Sequence, residues 1–205
     1  MCGIVGYIGN KQALPILLQG LRDLEYRGYD SAGIALLDGG KIVRVRAVGK
    51  VDKLTEKLLG QKFEATEGIS HTRWATHGGV TESNAHPHFA GGGKLALVHN
   101  GIIENYRELK KELEKYGIKF ESETDTEVLA HWIVKHYKND LAAAVRQALL
   151  TVRGTYGILV MHADHPGQLV AARLGSPLVI GIGEGEYYIA SDVTPMLPFT
   201  KQVTY

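Results

Sequence analysis

The spacing of apolar residues along the chain predicts a series of short helices and strands. Leucines recur at helical spacing in Ala13–Leu24, and the same pattern is found in Tyr106–Tyr116. Thr124 and Glu127 form a predicted capping box for a helix that continues to about Tyr137. Two further helices are predicted at Val51–Leu59, before Gly60, and at Asp140–Val152, where Asp140 is the expected N-cap.

Short apolar runs between turn residues predict the strands, and Asp38-Gly39-Gly40 between two of them indicates a hairpin. The predicted strands are Cys2–Ile8, Gly33–Leu37, Ile42–Val48, Gly68–Thr72, Leu95–His99, Tyr156–His162, Gln168–Arg173, Leu178–Ile182 and Tyr187–Ala190. Thr76–Gly93 is predicted to be a long loop, of the kind that often carries function. Strands at both ends and helices in the middle favour the α+β class, with antiparallel sheets covered by helices.

Composition narrows the possible functions. The 205 residues are 44% hydrophobic and 22% charged, with a net charge of +1, which is typical of one continuous globular domain. No basic run is present, so nucleic acid is not an expected partner. The apolar runs are too short to span a membrane, and no signal peptide pattern is found. A single cysteine excludes an internal disulfide, and a cytoplasmic location is expected.

Cys2 directly follows the initiator methionine, and this position has chemical consequences. Removal of Met1 would leave Cys2 with a free α-amine, whose pKa of about 7.7–8.0 lets it accept a proton near neutral pH. One residue would then supply both a thiol nucleophile and its base. A retained Met1 would turn that nitrogen into a non-basic amide. The alternative is that Cys2 is a small buried residue at the start of a strand.

Several motifs occur in order along nearly the whole chain. They are CGIVG at 2–6, EYRGYDSAG at 25–33, HTRWATHG at 71–78, NAHPH at 84–88, HNGIIENY at 99–106, SETDTEV at 122–128, RGTYG at 153–157 and ASD at 190–192. Each is weak alone, but together they resemble the class II glutamine amidotransferases, which are N-terminal-nucleophile hydrolases. The sequences RGYDSAG and HTRWATHG resemble in particular those of the glutaminase domain of the glutamine–fructose-6-phosphate aminotransferase family.

The resemblance implies a four-layer αββα sandwich of two antiparallel sheets, formed by residues 1–205 as a glutaminase domain. It implies L-glutamine as substrate, a γ-glutamyl thioester on Cys2 and release of ammonia, and no cofactor is expected. In the full-length enzymes of this family, ammonia passes to a C-terminal isomerase domain that binds fructose 6-phosphate. The resemblance implies that this domain lies outside the present sequence, and that the full-length enzyme is a homodimer.

Asn100 and Gly101 directly follow a predicted strand. A side-chain amide and a backbone N–H can stabilise the oxyanion that forms during amide hydrolysis, and the resemblance assigns Asn100 and Gly101 to that role. The alternative is an ordinary Asn-Gly turn. The apolar Ile102 and Ile103 that follow at once argue against a tight hairpin there.

Further residues are assigned by the resemblance to binding of the glutamine backbone. Arg73 would hold the α-carboxylate with its guanidinium, with help from Thr76 and His77. Asp125 would face the α-ammonium. Without the resemblance, Asp125 is most simply a carboxylate that stabilises the first turn of a helix.

Arg27, Gly28 and Trp74 have supporting roles in the resemblance. Arg27 and Gly28 fall in a predicted turn between a helix and a strand, and would support the loop that closes over glutamine. That loop is about Arg73–Val80, and Gly78-Gly79 are its expected flexible points. Trp74 would belong to this lid, although an ordinary buried tryptophan is an equal alternative.

Nine histidines raise the question of a metal site. His86 and His88 are weak evidence because no matching cysteine or carboxylate cluster accompanies them. The resemblance gives His86 a role in supporting the glutamine pocket, and no metal is expected. His71 and His99 occur in predicted strands, where a histidine is more often a buried residue with satisfied hydrogen bonds.

Three alternatives to the glutaminase hypothesis stay open. One is another class II amidotransferase or N-terminal-nucleophile hydrolase that acts on a different amide. A second is a module that binds glutamine without hydrolysing it. A third is a metal-dependent hydrolase, which chelators would inhibit. Substrate profiling and ammonia release distinguish these possibilities.

Overall fold

The computed structural model describes residues 2–75 and 78–205. In that part of the chain the strands are β1 Gly3–Ile8, β2 Ser31–Asp38, β3 Lys41–Val48, β4 Glu67–Arg73, β5 His88–Ala90, β6 Leu95–Ile103, β7 Gly154–His162, β8 Leu169–Leu174, β9 Val179–Gly183, β10 Glu186–Ala190 and β11 Val203–Thr204. The α-helices are α1 Ala13–Asp23, α2 Val51–Leu58, α3 Tyr106–Glu114, α4 Asp125–His136 and α5 Leu141–Leu149. None of these helices is both long and apolar enough to cross a membrane.

Antiparallel pairing arranges the described strands in two sheets. One has the order β11-β9-β10-β1-β4-β2-β3, and the other has the order β5-β6-β7-β8. Helices α1 and α2 pack on the outer face of the seven-stranded sheet, while α3, α4 and α5 pack on the outer face of the four-stranded sheet. The predicted four-layer αββα sandwich is therefore confirmed.

Alternation along the strands explains why four layers form. In β6, Leu95 and Leu97 pack against the helices, whereas Ala96 and Val98 face the other sheet. In β1, Val5 belongs to the core beneath the helices and its neighbour in the chain, Ile4, belongs to the core between the sheets. Because successive side chains point to opposite faces of a strand, each sheet buries apolar residues on both faces.

The largest correction concerns the end of β6. The strand was predicted to end at His99, but it continues to Ile103, and Asn100 and Gly101 lie opposite Gly157 and Tyr156 of β7. The alternative of an Asn-Gly turn at this position is therefore excluded. The extended loop prediction for 76–93 is also incomplete, because β5 lies within it.

Both predicted helix caps are confirmed, with one difference. The Thr124 side chain accepts a hydrogen bond from the Glu127 N–H, and the Asp140 side chain accepts one from Ala143. The Glu127 carboxylate does not return to Thr124. It accepts instead from the N–H groups of Glu121 and Ser122, which holds the segment that leads into α4.

Candidate active site

A pocket of about 350 Å³ lies beside the start of β1, the end of β4 and the second half of β6. This volume is at the small end of the roughly 300–1,000 Å³ range of small-molecule sites. The sequence-predicted residues that line it are Cys2, Arg27, Arg73, Trp74, His86, Asn100, Gly101 and Asp125. Thr76 and His77 lie outside the described residues.

The Cys2 thiol is held at the end of β4. Its Sγ accepts a hydrogen bond from the backbone N–H of Trp74, with 3.1 Å between sulfur and nitrogen. Burial raises the pKa of the Cys2 thiol, and the Trp74 N–H offsets this effect only in part. The thiol is thus predominantly protonated near neutral pH, and a base must remove its proton before it attacks.

Asn100 connects the four-stranded sheet to the start of the chain. Its side-chain Nδ2 donates to the backbone carbonyl oxygen of Cys2 at 3.1 Å. The neighbouring Gly101 has a φ of 133°, and a Cβ there would lie 2.1 Å from the carbonyl oxygen of Thr155. Only glycine adopts this positive φ without strain and has no Cβ to collide with Thr155. The side-chain amide of Asn100 and the backbone of Gly101 therefore reach the pocket together with Cys2.

Asp125 is the first residue of α4, and its carboxylate is buried. One oxygen, Oδ2, accepts from the backbone N–H of Ile103 at 2.8 Å. This contact and the helix N-terminus hold a negative charge at the pocket wall. Asp125 thus both stabilises the first turn of α4, as the sequence suggested, and lines the pocket.

Arg73 is the last residue of β4, and its side chain is also buried. The guanidinium donates to the carbonyl oxygens of Gly79, at 3.1 Å, and Gly78, at 3.4 Å. Arg73 therefore places a positive charge at the pocket while it contacts the far end of the predicted lid loop.

Arg27 and Gly28 occupy the predicted turn between α1 and β2. The Arg27 guanidinium lies 3.2 Å from Oδ2 of Asp192, so the EYRGYDSAG and ASD motifs meet in an ion pair. Gly28 packs tightly, because a Cβ there would lie 3.1 Å from the carbonyl oxygen of Arg73 and from the Cβ of Trp74. This turn therefore supports the backbone that carries Trp74.

Trp74 is 53% exposed, so the alternative that it is an ordinary buried tryptophan is wrong. Its ring meets the ring of Tyr29 edge to face, with 6.3 Å between centroids. The exposed indole at the pocket wall agrees with a position in a lid.

Comparison with known proteins assigns the family. Residues 71–198 match the family described as "Glutamine amidotransferase domain". The chain belongs to the glutamine amidotransferase family. It is 52% identical to the "Glutamine--fructose-6-phosphate aminotransferase [isomerizing]" of Aquifex aeolicus, over 99% of this chain and 34% of that protein. It is 54% identical to an enzyme of the same name from Thermus thermophilus, over 100% of this chain and 34% of that protein.

The chain spans about a third of the length of these curated relatives. Among solved structures, it resembles the glutamine phosphoribosylpyrophosphate amidotransferase from B. subtilis, with a TM-score of 0.84 at 29% identity. That similarity covers 97% of this chain and 44% of the other. Family and fold thus agree with the motifs.

Two residues of this amidotransferase domain that were not singled out from the sequence connect the lid loop to α4. The Glu123 carboxylate accepts from the Gly79 N–H at 3.2 Å and from the Asn84 side chain at 3.0 Å. The Glu123 N–H in turn donates to the Asn84 side chain at 2.9 Å. Both residues belong to recognised motifs, NAHPH and SETDTEV, but their pairing across 39 residues of sequence carries no local signal.

Two buried histidines, His71 and His88, pack against the ring of His86, which lines the amidotransferase pocket. Burial lowers the pKa of His71 to about 3, and it lowers the pKa of His86 and His88 well below 6.5. These rings are therefore neutral at physiological pH. Within residues 2–75 and 78–205, no three histidine, cysteine or acidic side chains converge in a way that could hold a metal ion.

Proposed function

We propose that this chain hydrolyses the side-chain amide of L-glutamine to glutamate and ammonia, with Cys2 as the nucleophile. The observation that carries the proposal is the convergence of Cys2, Asn100 and Gly101 on one pocket, in a chain of the glutamine amidotransferase family. A thiol next to two oxyanion donors is the arrangement that acyl transfer requires.

Recognition of the substrate would use opposite charges in that pocket. Arg73 would hold the α-carboxylate of glutamine, and the Asp125 carboxylate would hold its α-ammonium. Thr76 and His77 would complete the carboxylate site. His86 would support the pocket wall, and Arg27, Gly28 and Trp74 would support the lid. The burial of Arg73 and Asp125 supports this assignment, because charges inside a protein are retained where a partner compensates them.

The reaction begins with proton transfer from the Cys2 thiol to its own α-amine, which is free once Met1 has been removed. The sulfur then forms a bond to the δ-carbon of glutamine, which is the carbon of its side-chain amide, and the carbonyl oxygen becomes an oxyanion that Asn100 and the Gly101 N–H stabilise. As the oxyanion collapses, the C–N bond breaks and the α-ammonium returns its proton to the leaving nitrogen. Ammonia departs, and water hydrolyses the remaining thioester to glutamate.

The names of the relatives support a larger role. We propose that residues 1–205 form the glutaminase domain of a glutamine–fructose-6-phosphate aminotransferase. Ammonia from Cys2 would pass to a C-terminal isomerase domain and convert fructose 6-phosphate into glucosamine 6-phosphate. The full-length enzyme would be a homodimer in the cytoplasm, where Cys2 stays reduced.

The proposal is tested by measuring ammonia and glutamate release from glutamine. The Met1-free chain is compared with its Cys2→Ala variant, and asparagine and short acyl amides serve as alternative substrates. We expect turnover confined to glutamine and γ-glutamyl amides, insensitive to chelators and absent in Cys2→Ala. Glutamine binding without ammonia release by the Met1-free chain would support the binding module instead.

A further inference from the structure

His71 of β4 extends from the seven-stranded sheet to the four-stranded sheet. Its side chain is buried, and its Nε2 lies 2.9 Å from Oδ1 of Asn100 and 3.1 Å from the backbone carbonyl oxygen of His99. His71 does not line the pocket that holds Cys2. Any effect it has on the reaction must therefore pass through another residue.

The two neighbours of Nε2 determine which nitrogen of His71 carries the proton. A backbone carbonyl oxygen can only accept a hydrogen bond, so the contact with His99 requires a hydrogen on Nε2. The ring is neutral because burial keeps the pKa of His71 low, at about 3. A neutral ring with hydrogen on Nε2 has none on Nδ1, and His71 therefore acts as a donor towards Asn100.

The orientation of the Asn100 amide follows from this tautomer. A reversed amide would place its NH2 group against the Nε2–H of His71, so the oxygen of Asn100 must face His71. The nitrogen then points to Cys2, where it donates to the backbone carbonyl oxygen at 3.1 Å. One N–H of that group is used by Cys2, and the second is left for an oxyanion.

The His71 ring is itself held in place. It stacks on the ring of His86, with 4.2 Å between centroids and 23° between planes. The Nε2 atom of His86 bonds to the Thr126 hydroxyl at 2.9 Å, and that hydroxyl also bonds to Nδ1 of His99 at 3.0 Å. Packing and hydrogen bonds thus fix the donor that faces Asn100.

We propose that His71 is a positioning residue for glutamine hydrolysis, because its Nε2–H holds the Asn100 amide with the nitrogen directed at Cys2. This inference rests on the proposed function. The competing explanation is that His71 only ties the two sheets together, in which case its loss would affect stability and leave the chemistry of the folded protein intact.

The test uses three variants of His71, of which two carry an amide and differ in reach. His71→Gln places an amide N–H close to the original Nε2 position, whereas His71→Asn is one methylene too short. His71→Leu removes the donor altogether. A matched control is His162→Leu, which removes another buried strand histidine, one whose Nδ1 bonds to the Asp164 N–H instead of to Asn100. Each Met1-free variant is checked for folding by circular dichroism, and its kcat and KM for glutamine are measured.

We expect His71→Leu and His71→Asn to lower kcat by about 10- to 100-fold, a part of the roughly 10²–10³-fold cost of losing one oxyanion donor. KM should stay near the wild-type value, His71→Gln should recover most of kcat, and His162→Leu should leave kcat unchanged. Adding His71→Leu to Asn100→Ala should cause no further loss, because both changes remove the same interaction.

Three results would overturn the inference. They are an unchanged kcat in folded His71→Leu or His71→Asn, a His71→Gln variant no better than His71→Asn, and an additive effect in the double variant. If His71→Leu does not fold, the Gln and Asn pair still decides the question. A Met1-free wild-type chain that releases no ammonia contradicts the proposed function itself, and the inference then falls with it.

Discussion

Asp125 Oδ2 accepts a hydrogen bond from the backbone N–H of Ile103 at 2.8 Å, so the first residue of α4 is fixed to the last residue of β6. The same residue lines the pocket that contains Cys2. A single buried charge thus joins a helix to a strand at the position where a substrate ammonium is proposed to bind.

Asp125→Asn separates these two roles. The amide oxygen can still accept from Ile103, but the negative charge is lost. We expect KM for glutamine to rise by about 10- to 100-fold, since a hydrogen bond to a charged group contributes roughly 1.5–3 kcal/mol. Steady-state kinetics of the Met1-free chain measure the change. Asp125→Ala is the comparison, because it should also lower the melting temperature. A KM unchanged in Asp125→Asn would contradict the assignment to the ammonium.

Buried neutral histidines predict a loss of stability in mild acid. Burial lowers the pKa of His71 to about 3, and it lowers the pKa values of His86 and His88 well below 6.5. Below pH 6.5 these histidines bind protons in the unfolded chain but not in the folded chain. The contribution of these neutral histidines to the free energy of unfolding is therefore complete above about pH 6.5. It is lost as the pH falls, at up to about 1.4 kcal/mol per pH unit for each histidine.

Denaturant unfolding between pH 7.5 and pH 5 measures this slope. His88→Gln provides a control, because it keeps a polar side chain opposite Thr124 and removes one titrating group. The free energy of unfolding of that variant should depend less steeply on pH, by about one proton. A free energy of unfolding that is constant over this range would contradict the prediction.

Glu67 predicts the opposite dependence. Its carboxyl is buried at the start of β4, where one oxygen accepts from the Gly167 N–H at 2.9 Å, and burial raises its pKa. For an acid with a raised pKa, the favourable contribution is present at low pH and is lost as the pH rises through the folded-state value. Glu67→Gln should therefore increase the melting temperature at pH 8 and leave it nearly unchanged at pH 4.

The exposed Glu64 supplies the control for this experiment. Glu64→Gln removes the same charge only three residues away, without any burial, and should change the melting temperature little at either pH. Equal shifts for the two variants would show that overall charge, and not burial of Glu67, determines the effect.

Local sequence patterns were sufficient to predict several elements that enclose the hydrophobic core. The leucine spacing in α1 and the Asp38-Gly39-Gly40 turn each depend on neighbouring residues, and both were predicted correctly. The continuation of β6 past His99 was not predicted, because asparagine and glycine are both uncommon in strands. Pairing with β7, which comes more than fifty residues later, overrides that preference.

The sequence predicted many of the residues that form the site, but not the contacts between them. The motifs pointed to Cys2 and Asn100, and the structure brings both to one pocket. Two further pocket residues, Ser176 and Pro177, carry no recognisable signal, because a serine and a proline are common in any loop. The His71 contact with Asn100 joins two strands of different sheets, so it arises only from the folded arrangement.

The central claim is that Cys2, with a free α-amine, is the nucleophile of a glutamine pocket. The most direct measurement treats the chain with a diazoketone analogue of glutamine and determines intact mass and the modified peptide. The same spectrum reports whether Met1 is present. We predict one adduct per Met1-free chain, located on Cys2, and protection by excess glutamine. A Met1-free chain that stays unmodified, or that is modified elsewhere, would contradict the claim.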